Sequence, residues 1–167
     1  FETVVCDNNH TSSVFYALYA AGEAGTVQCI IHDGTFKTAG NYTAVLIGND
    51  NTNGDGGINA DACSYIYGGT FLAPEGVSAV KVSPNTANSS VLYGGSYSML
   101  GETDALPYVA AECRTVEATE GGVSYVVQAR TEEDTDAVAK VGDKVYASLQ
   151  TAIDAAEAEV ERIGKVV

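Results

Sequence analysis

Three short stretches of this chain repeat one another: HDGTF (His32 to Phe36), YGGTF (Tyr67 to Phe71) and YGGSY (Tyr93 to Tyr97). In each, two β-formers lead into a variable residue, then come a glycine, a Thr or Ser, and an aromatic ring. A second element recurs ahead of them: FYALYAA (Phe15 to Ala21), YTAVLIG (Tyr42 to Gly48) and VSAVKVS (Val77 to Ser83). Ile31 to Ile66 spans 35 residues and Ile66 to Leu92 spans 26. Periods of this size mark solenoids, in which each unit buries its apolar face against the next. No repeat carries a helical pattern, and Val80 and Val82 alternate with Lys81 as in a half-buried strand. The expected architecture is therefore a β-solenoid. Equivalent positions of successive coils would lie above one another. This predicts an aromatic stack of Phe36, Phe71 and Tyr97 beside an aliphatic stack of Ile31, Ile66 and Leu92.

The coils are unequal in length. Ala17 to Ile31 is 14 residues and Ala79 to Leu92 is 13, but Ala44 to Ile66 is 22. The middle coil thus carries an insertion of about eight residues within Gly48 to Cys63, which a solenoid accommodates as a protruding loop. Inside it, Asn51, Asn53 and Asp55, followed by Gly56, match the start of a calcium loop. Ala62 stands at the twelfth position, where a bidentate Glu is expected. Asn, Asp and Gly also populate plain turns. Calcium at Asn51, Asn53 and Asp55 and an ordinary loop are both open readings.

Beyond the third copy the pattern changes. Leu106 to Gln128 reads as a coil edge and a hairpin around Gly121-Gly122. Residues 129–137 are acidic and read as a linker. Residues 138–167 read as a second hairpin, turning at Gly142-Asp143, and an amphipathic helix. Ser148 is its expected N-cap, and Leu149, Ile153, Ala156, Val160 and Ile163 fall on one face. The expected organisation is coils with a closing hairpin over 1–128, a linker over 129–137, and a hairpin plus capping helix over 138–167. Phe1 reads as the interior of a strand, so the chain is expected to be a piece of a longer or processed protein.

The GGTF lines, PYVAAECRTVEATEGGVSYVV (Pro107 to Val127) and VAKVGDKVYASLQTAIDAAEA (Val138 to Ala158) together resemble a group of exported bacterial cell-surface proteins. In that group, right-handed parallel β-helices of the pectin-lyase-like type are strung together. The resemblance runs from about residue 27 onward. It implies an all-β fold with a short helical segment: a right-handed parallel β-helix fragment whose C-terminal helix caps the coils. It also implies an extracellular or cell-surface setting and a structural or adhesive role.

Composition narrows the partners. With 8 Lys plus Arg against 22 Asp plus Glu, the formal charge is −14, which repels nucleic acid and anionic membranes. The longest apolar run, Val14 to Ala21, is too short to span a bilayer. Cys6, Cys29, Cys63 and Cys113 lack zinc spacing. They allow two disulfides in three connectivities, or four small buried hydrophobes. Sequons at Asn9, Asn41 and Asn88 are as frequent as chance supplies in a chain rich in Asn, Ser and Thr.

Catalysis is not expected. Enzymes of such folds gather carboxylates on one sheet, yet Asp33 has glycines, Gly68 and Gly94, at its equivalent positions. His32 shares its position with Tyr67 and Tyr93, which suits surface stacking rather than a triad. Tyr42, Tyr65, Tyr67 and Tyr93 offer either a platform for sugar rings or another coil-to-coil stack. The expected function is a non-catalytic extracellular structural or adhesive module, with no cofactor beyond the calcium reading. Glycans or cell-wall components and further copies of the chain are the expected partners. The alternative is a carbohydrate-binding module or the remnant of a polysaccharide-active enzyme. Shortening Asn51 to Gly57 is expected to leave folding intact. Thermal melting checks this, and a large drop in midpoint would make the loop structural.

Overall fold

The computed structural model describes residues 3–6, 18–20, 29–39, 41–47, 64–83 and 90–164. These form short strands and one C-terminal helix, without a closed barrel. The strands are β1 (Thr3–Cys6), β2 (Leu18–Ala20), β3 (Ile30–Ile31), β4 (Thr35–Thr38), β5 (Val45–Ile47), β6 (Tyr65–Ile66), β7 (Thr70–Leu72), β8 (Val80–Val82) and β9 (Gly95–Tyr97). A 3-10 turn at Leu106–Tyr108 then leads to β10 (Cys113–Glu117), β11 (Tyr125–Ala129), β12 (Ala139–Val141), β13 (Lys144–Tyr146) and α1 (Leu149–Gly164).

Every pairing up to β9 is parallel and joins equivalent residues of different repeats. β1, β4, β7 and β9 follow one another in one sheet, with Val4 opposite Phe36, Phe36 opposite Phe71, and Phe71 opposite Tyr97. β2, β5 and β8 form a second sheet, aligning Leu18, Val45 and Val80. β3 and β6 pair Ile31 with Ile66, and isolated parallel bridges extend that row to Leu92 and Val109. Both stacks read from the sequence are therefore present in the expected register. Two positions went unread. Val4 precedes the aromatic row, and Val109 prolongs the aliphatic one beyond the last glycine line.

The glycine line has a geometric cause. Gly34, Gly69 and Gly95 hold the same place in successive copies and have φ of 125°, 108° and 110°, a region that side-chain-bearing residues avoid. They turn the chain sharply just before the aromatic residue enters its strand. The preceding glycines face a different constraint, since a Cβ at Gly94 would run into the Tyr67 carbonyl of the neighbouring repeat. Backbone closeness of that kind lets the rings behind it stack. Phe36 and Phe71 lie 5.2 Å apart at 5°, and Phe71 and Tyr97 lie 5.0 Å apart at 11°.

All three parallel sheets turn apolar residues toward one core. Phe36, Phe71 and Tyr97 meet Val45, Val80, Ile47 and Val82 from the second sheet and Ile31, Ile66 and Leu92 from the third. Serine hydroxyls at the corners bond across neighbouring segments of the chain. Ser64 Oγ accepts from the Cys29 N–H, Ser98 Oγ from the Ala73 N–H, and Ser78 Oγ from the Gly101 N–H. The Tyr97 hydroxyl donates to the Gly94 carbonyl at 2.6 Å, which lets a phenol replace phenylalanine in the stack.

Parallel strands leave donors and acceptors open at the last repeat, where an uncovered edge would recruit other chains. Residues 99–110 and the β10–β11 hairpin meet this need. Met99 and Asp104 carbonyls accept from Ala79 and Val82, while the Tyr108 carbonyl accepts from both Val91 and Leu92. β11 adds antiparallel to β9, and β10 beyond it forms the outer edge of that sheet. This corrects the role expected of the helix. α1 packs on β12 and β13 and buries only Ala152, so the cover over the last repeat comes from the loop and hairpin. Ser148 does stand at the helix start, its carbonyl accepting from the Ala152 N–H.

The 129–137 segment is fastened to the hairpin. Arg114 pairs with the nearly buried Asp134 at 2.9 Å, Arg130 pairs with Asp136, and Asp134 also accepts from the Thr131 N–H.

Replacing Phe71 by Ala removes the middle ring of the stack, which is fully buried. The expected loss is about 3–5 kcal/mol, measured by urea unfolding. A near-neutral result would mean the stack is not what holds the repeats together.

Candidate functional site

Two surface regions gather chemistry-bearing side chains. The first is an outer row on the third sheet. His32, Tyr67 and Tyr93 directly follow Ile31, Ile66 and Leu92, so the period of two sends them outward where the aliphatic residues point inward. His32 and Tyr67 stack at 5.4 Å and 14°, and Tyr67 and Tyr93 lie 5.3 Å apart at 36°. Tyr65 packs alongside, 6.0 Å from Tyr67 and edge-on to Tyr93 at 5.9 Å. The stacking expected of His32 is thus present. So is the gathering of Tyr65, Tyr67 and Tyr93, whereas Tyr42 lies in the segment leading to β5.

The geometry decides what this row offers. His32 and Tyr67 cover one another's faces, while Tyr93 is tilted against Tyr67 and edge-on to Tyr65. Sugars stack on open aromatic faces. Tyr67 is 47% exposed, but it sits between His32 and Tyr93.

The second region is a groove of about 530 Å³ between the β12–β13 hairpin and α1, bordered by Glu112. Its polar lining is Glu112, Asp143, Lys144, Tyr146, Glu159 and Arg162. Lys144 Nζ lies 2.6 Å from Glu112, and Arg162 grips Glu159 through two bonds of 2.9 and 2.6 Å. Lys144 also acts on Glu159 through its charge. Acid and base therefore alternate across the groove as Glu112, Lys144, Glu159, Arg162. Sequence reasoning missed this line.

Burial and the Glu112 charge set the proton affinities here. Glu112 bonding to Lys144 raises the ammonium above its usual range. Tyr93 and Tyr146 are raised first by burial and then by the Glu112 charge. Cys113 donates to the Tyr93 carbonyl at 3.4 Å. Its thiol is pushed up to about 11 by burial first and Glu112 second. A thiol so raised is a poor nucleophile at neutral pH.

Cys29 and Cys113 are free, which removes the possibility of two disulfides. The side chains of Cys6 and Cys63 lie outside the described residues. Asn51, Asn53 and Asp55, and with them the calcium reading, also lie outside the described residues, as do Asn9 and Asn88. Asn41 is exposed. Among the described residues no three His, Cys, Asp or Glu side chains converge on a point that could hold a metal. None of the described helices is long and apolar enough to cross a membrane.

No family model, curated protein or solved structure matches this chain.

The raised groups give a pH dependence of definite sign. Cys113 binds its proton more tightly in the folded chain, where its pKa is about 11, than at the ordinary value of 9.0. The unfolded chain then binds fewer protons across that window, so stability falls as pH rises. The contribution is complete below pH 9 and is lost through about pH 11. Tyr93, Tyr146 and Lys144, all raised, act in the same direction. The melting temperature is expected to decline over this range, and a flat profile in thermal melts would contradict the burial of Cys113, Tyr93 and Tyr146 and the bond between Glu112 and Lys144.

Proposed function

We propose that the chain is a segment of a right-handed parallel β-helix serving as a non-catalytic structural or adhesive module of an extracellular bacterial surface protein or assembly. The observation that carries this reading is the exact-register repetition of side chains across the parallel strands. Phe36, Phe71 and Tyr97 stack inside while His32, Tyr67 and Tyr93 stack outside. Residues placed this way satisfy the neighbouring repeat and leave little chemistry for a substrate. A fibre-like spacer needs that mutual satisfaction and nothing else.

The charged groups support the same reading. Glu112, Asp134, Asp136 and Glu132 each face a Lys or Arg: Lys144, Arg114, Arg130 and Lys140. Carboxylates neutralised in this manner hold segments together. Paired acids for glycoside hydrolysis would instead face one another across an open cleft.

A glycan-binding module is the second reading, favoured by the outer row of rings and the exposure of Tyr67. One experiment separates the two. A polysaccharide panel is scored for retention and for released product, with the native chain and with Tyr67→Ala. The structural reading expects neither product nor a change in retention on substitution. It also expects the variant to lose about 0.5–1.5 kcal/mol of stability from the broken ring stack. Retention abolished at unchanged stability would establish the binding module, and released product would overturn the non-catalytic reading.

A further inference from the structure

The helix α1 leaves its apolar side uncovered. Leu149, Ile153, Ala156, Val160 and Ile163 are spaced alternately by four and three residues, the heptad seam by which one helix packs along another. In a helix serving only its own fold this seam would be buried. Here Leu149 is 61% exposed, Ile153 41%, Val160 69% and Ile163 53%. The helix is instead held from its flank, where Ala152 is buried and α1 meets β12 and β13. That anchorage fixes the helix and leaves its seam pointing away.

The surroundings of the seam define what would cover it. Ile153, Ala156 and Val160 share a shallow groove of about 440 Å³ with Glu157 and Glu161. Among the described residues neither carboxylate has an ion-pair partner. The helix has a single basic residue, Arg162, and Glu159 engages it through two bonds. The open side is thus an apolar stripe bordered by acid that no basic group among the described residues pairs with.

A second copy of the chain fits this surface poorly. Two such helices packed antiparallel about Ala156 would bring Glu157 against its own counterpart, and each chain carries a formal charge of −14. Like charges beside a seam select against a pairing, and opposite charges select for it. We propose that α1 is a docking helix for an amphipathic helix of another polypeptide, one with its own apolar seam bordered by Lys or Arg. The partner's apolar residues pack on Leu149, Ile153, Val160 and Ile163, and its cations meet Glu157 and Glu161. This interface is independent of what the coil surface does.

The test uses the full chain and a fluorescently labelled three-heptad synthetic helix with Leu at the seam and Lys on its flanks. A twin helix carries Glu on the flanks. Fluorescence anisotropy is expected to show saturable binding of the Lys helix and none of the Glu helix. The Ile153→Asp/Val160→Asp variant is expected to weaken binding by about tenfold or more. Glu157→Gln/Glu161→Gln, which keeps the seam intact, is expected to weaken it less and to flatten its salt dependence. All four positions are exposed, and circular dichroism verifies that each variant is folded. Equal binding to the Asp variant would reduce the effect to bulk acidity and overturn the proposal, as would absence of binding or equal affinity for both helices. Sedimentation of the chain alone supplies the remaining arm. A dimer abolished by Ile153→Asp/Val160→Asp would make a second copy the occupant instead.

Discussion

In-register parallel pairing is the constraint on which the rest of this molecule depends. Once Phe36, Phe71 and Tyr97 are locked opposite one another, their rings have one stable arrangement, stacked at about the spacing of the strands. That arrangement dictates everything around it. The backbone must turn abruptly ahead of each ring, which Gly34, Gly69 and Gly95 permit at positive φ. The preceding carbonyl must pass close by, which only a residue without a Cβ tolerates at Gly68 and Gly94. Adjacent residues on the third sheet's rows then divide into an inner aliphatic line and an outer aromatic one.

Such a ladder creates its own difficulty at its last rung. Each parallel strand satisfies its neighbour and passes an unsatisfied edge onward. Antiparallel β11 ends the series on the first sheet, and residues 99–110 end it on the other two. The charge pattern follows from the same closure. The hairpin brings Glu112 and Arg114 beyond the parallel strands, where Lys144 and Asp134 of the following segment fasten to them. An excess of acid in the chain is thereby converted locally into a set of ties, while most of the other carboxylates among the described residues are exposed. The groove beside Lys144 is a product of this junction, as is the raised proton affinity of Cys113.

How much of this was legible depended on how far apart the interacting residues lie along the chain. The glycine lines announced the inner and outer stacks, register included, because identical neighbours leave identical traces. Val109 joined the aliphatic row without a glycine line to mark it, and Val4 preceded the aromatic row in the same unmarked way. Glu112, Lys144, Glu159 and Arg162 come from three separate elements with no shared pattern, so nothing in their local sequence could assemble them. The helix was legible as amphipathic, yet its periodicity only said that one face is apolar.

The sequence by itself determined the strand periodicity, the register between repeats, the hairpin turns at Gly121-Gly122 and Gly142, and the existence of α1. All of these rest on interactions repeated at short or regular intervals, which a one-dimensional pattern can carry. Only the tertiary structure decided that loop 99–110 and a hairpin follow the last repeat, and that the outer rings pack against one another in stacked, tilted and edge-on pairs. It also decided that α1 rests on Ala152 with its seam exposed. Those outcomes depend on which surfaces meet in space, and a face that must be buried does not name what will bury it.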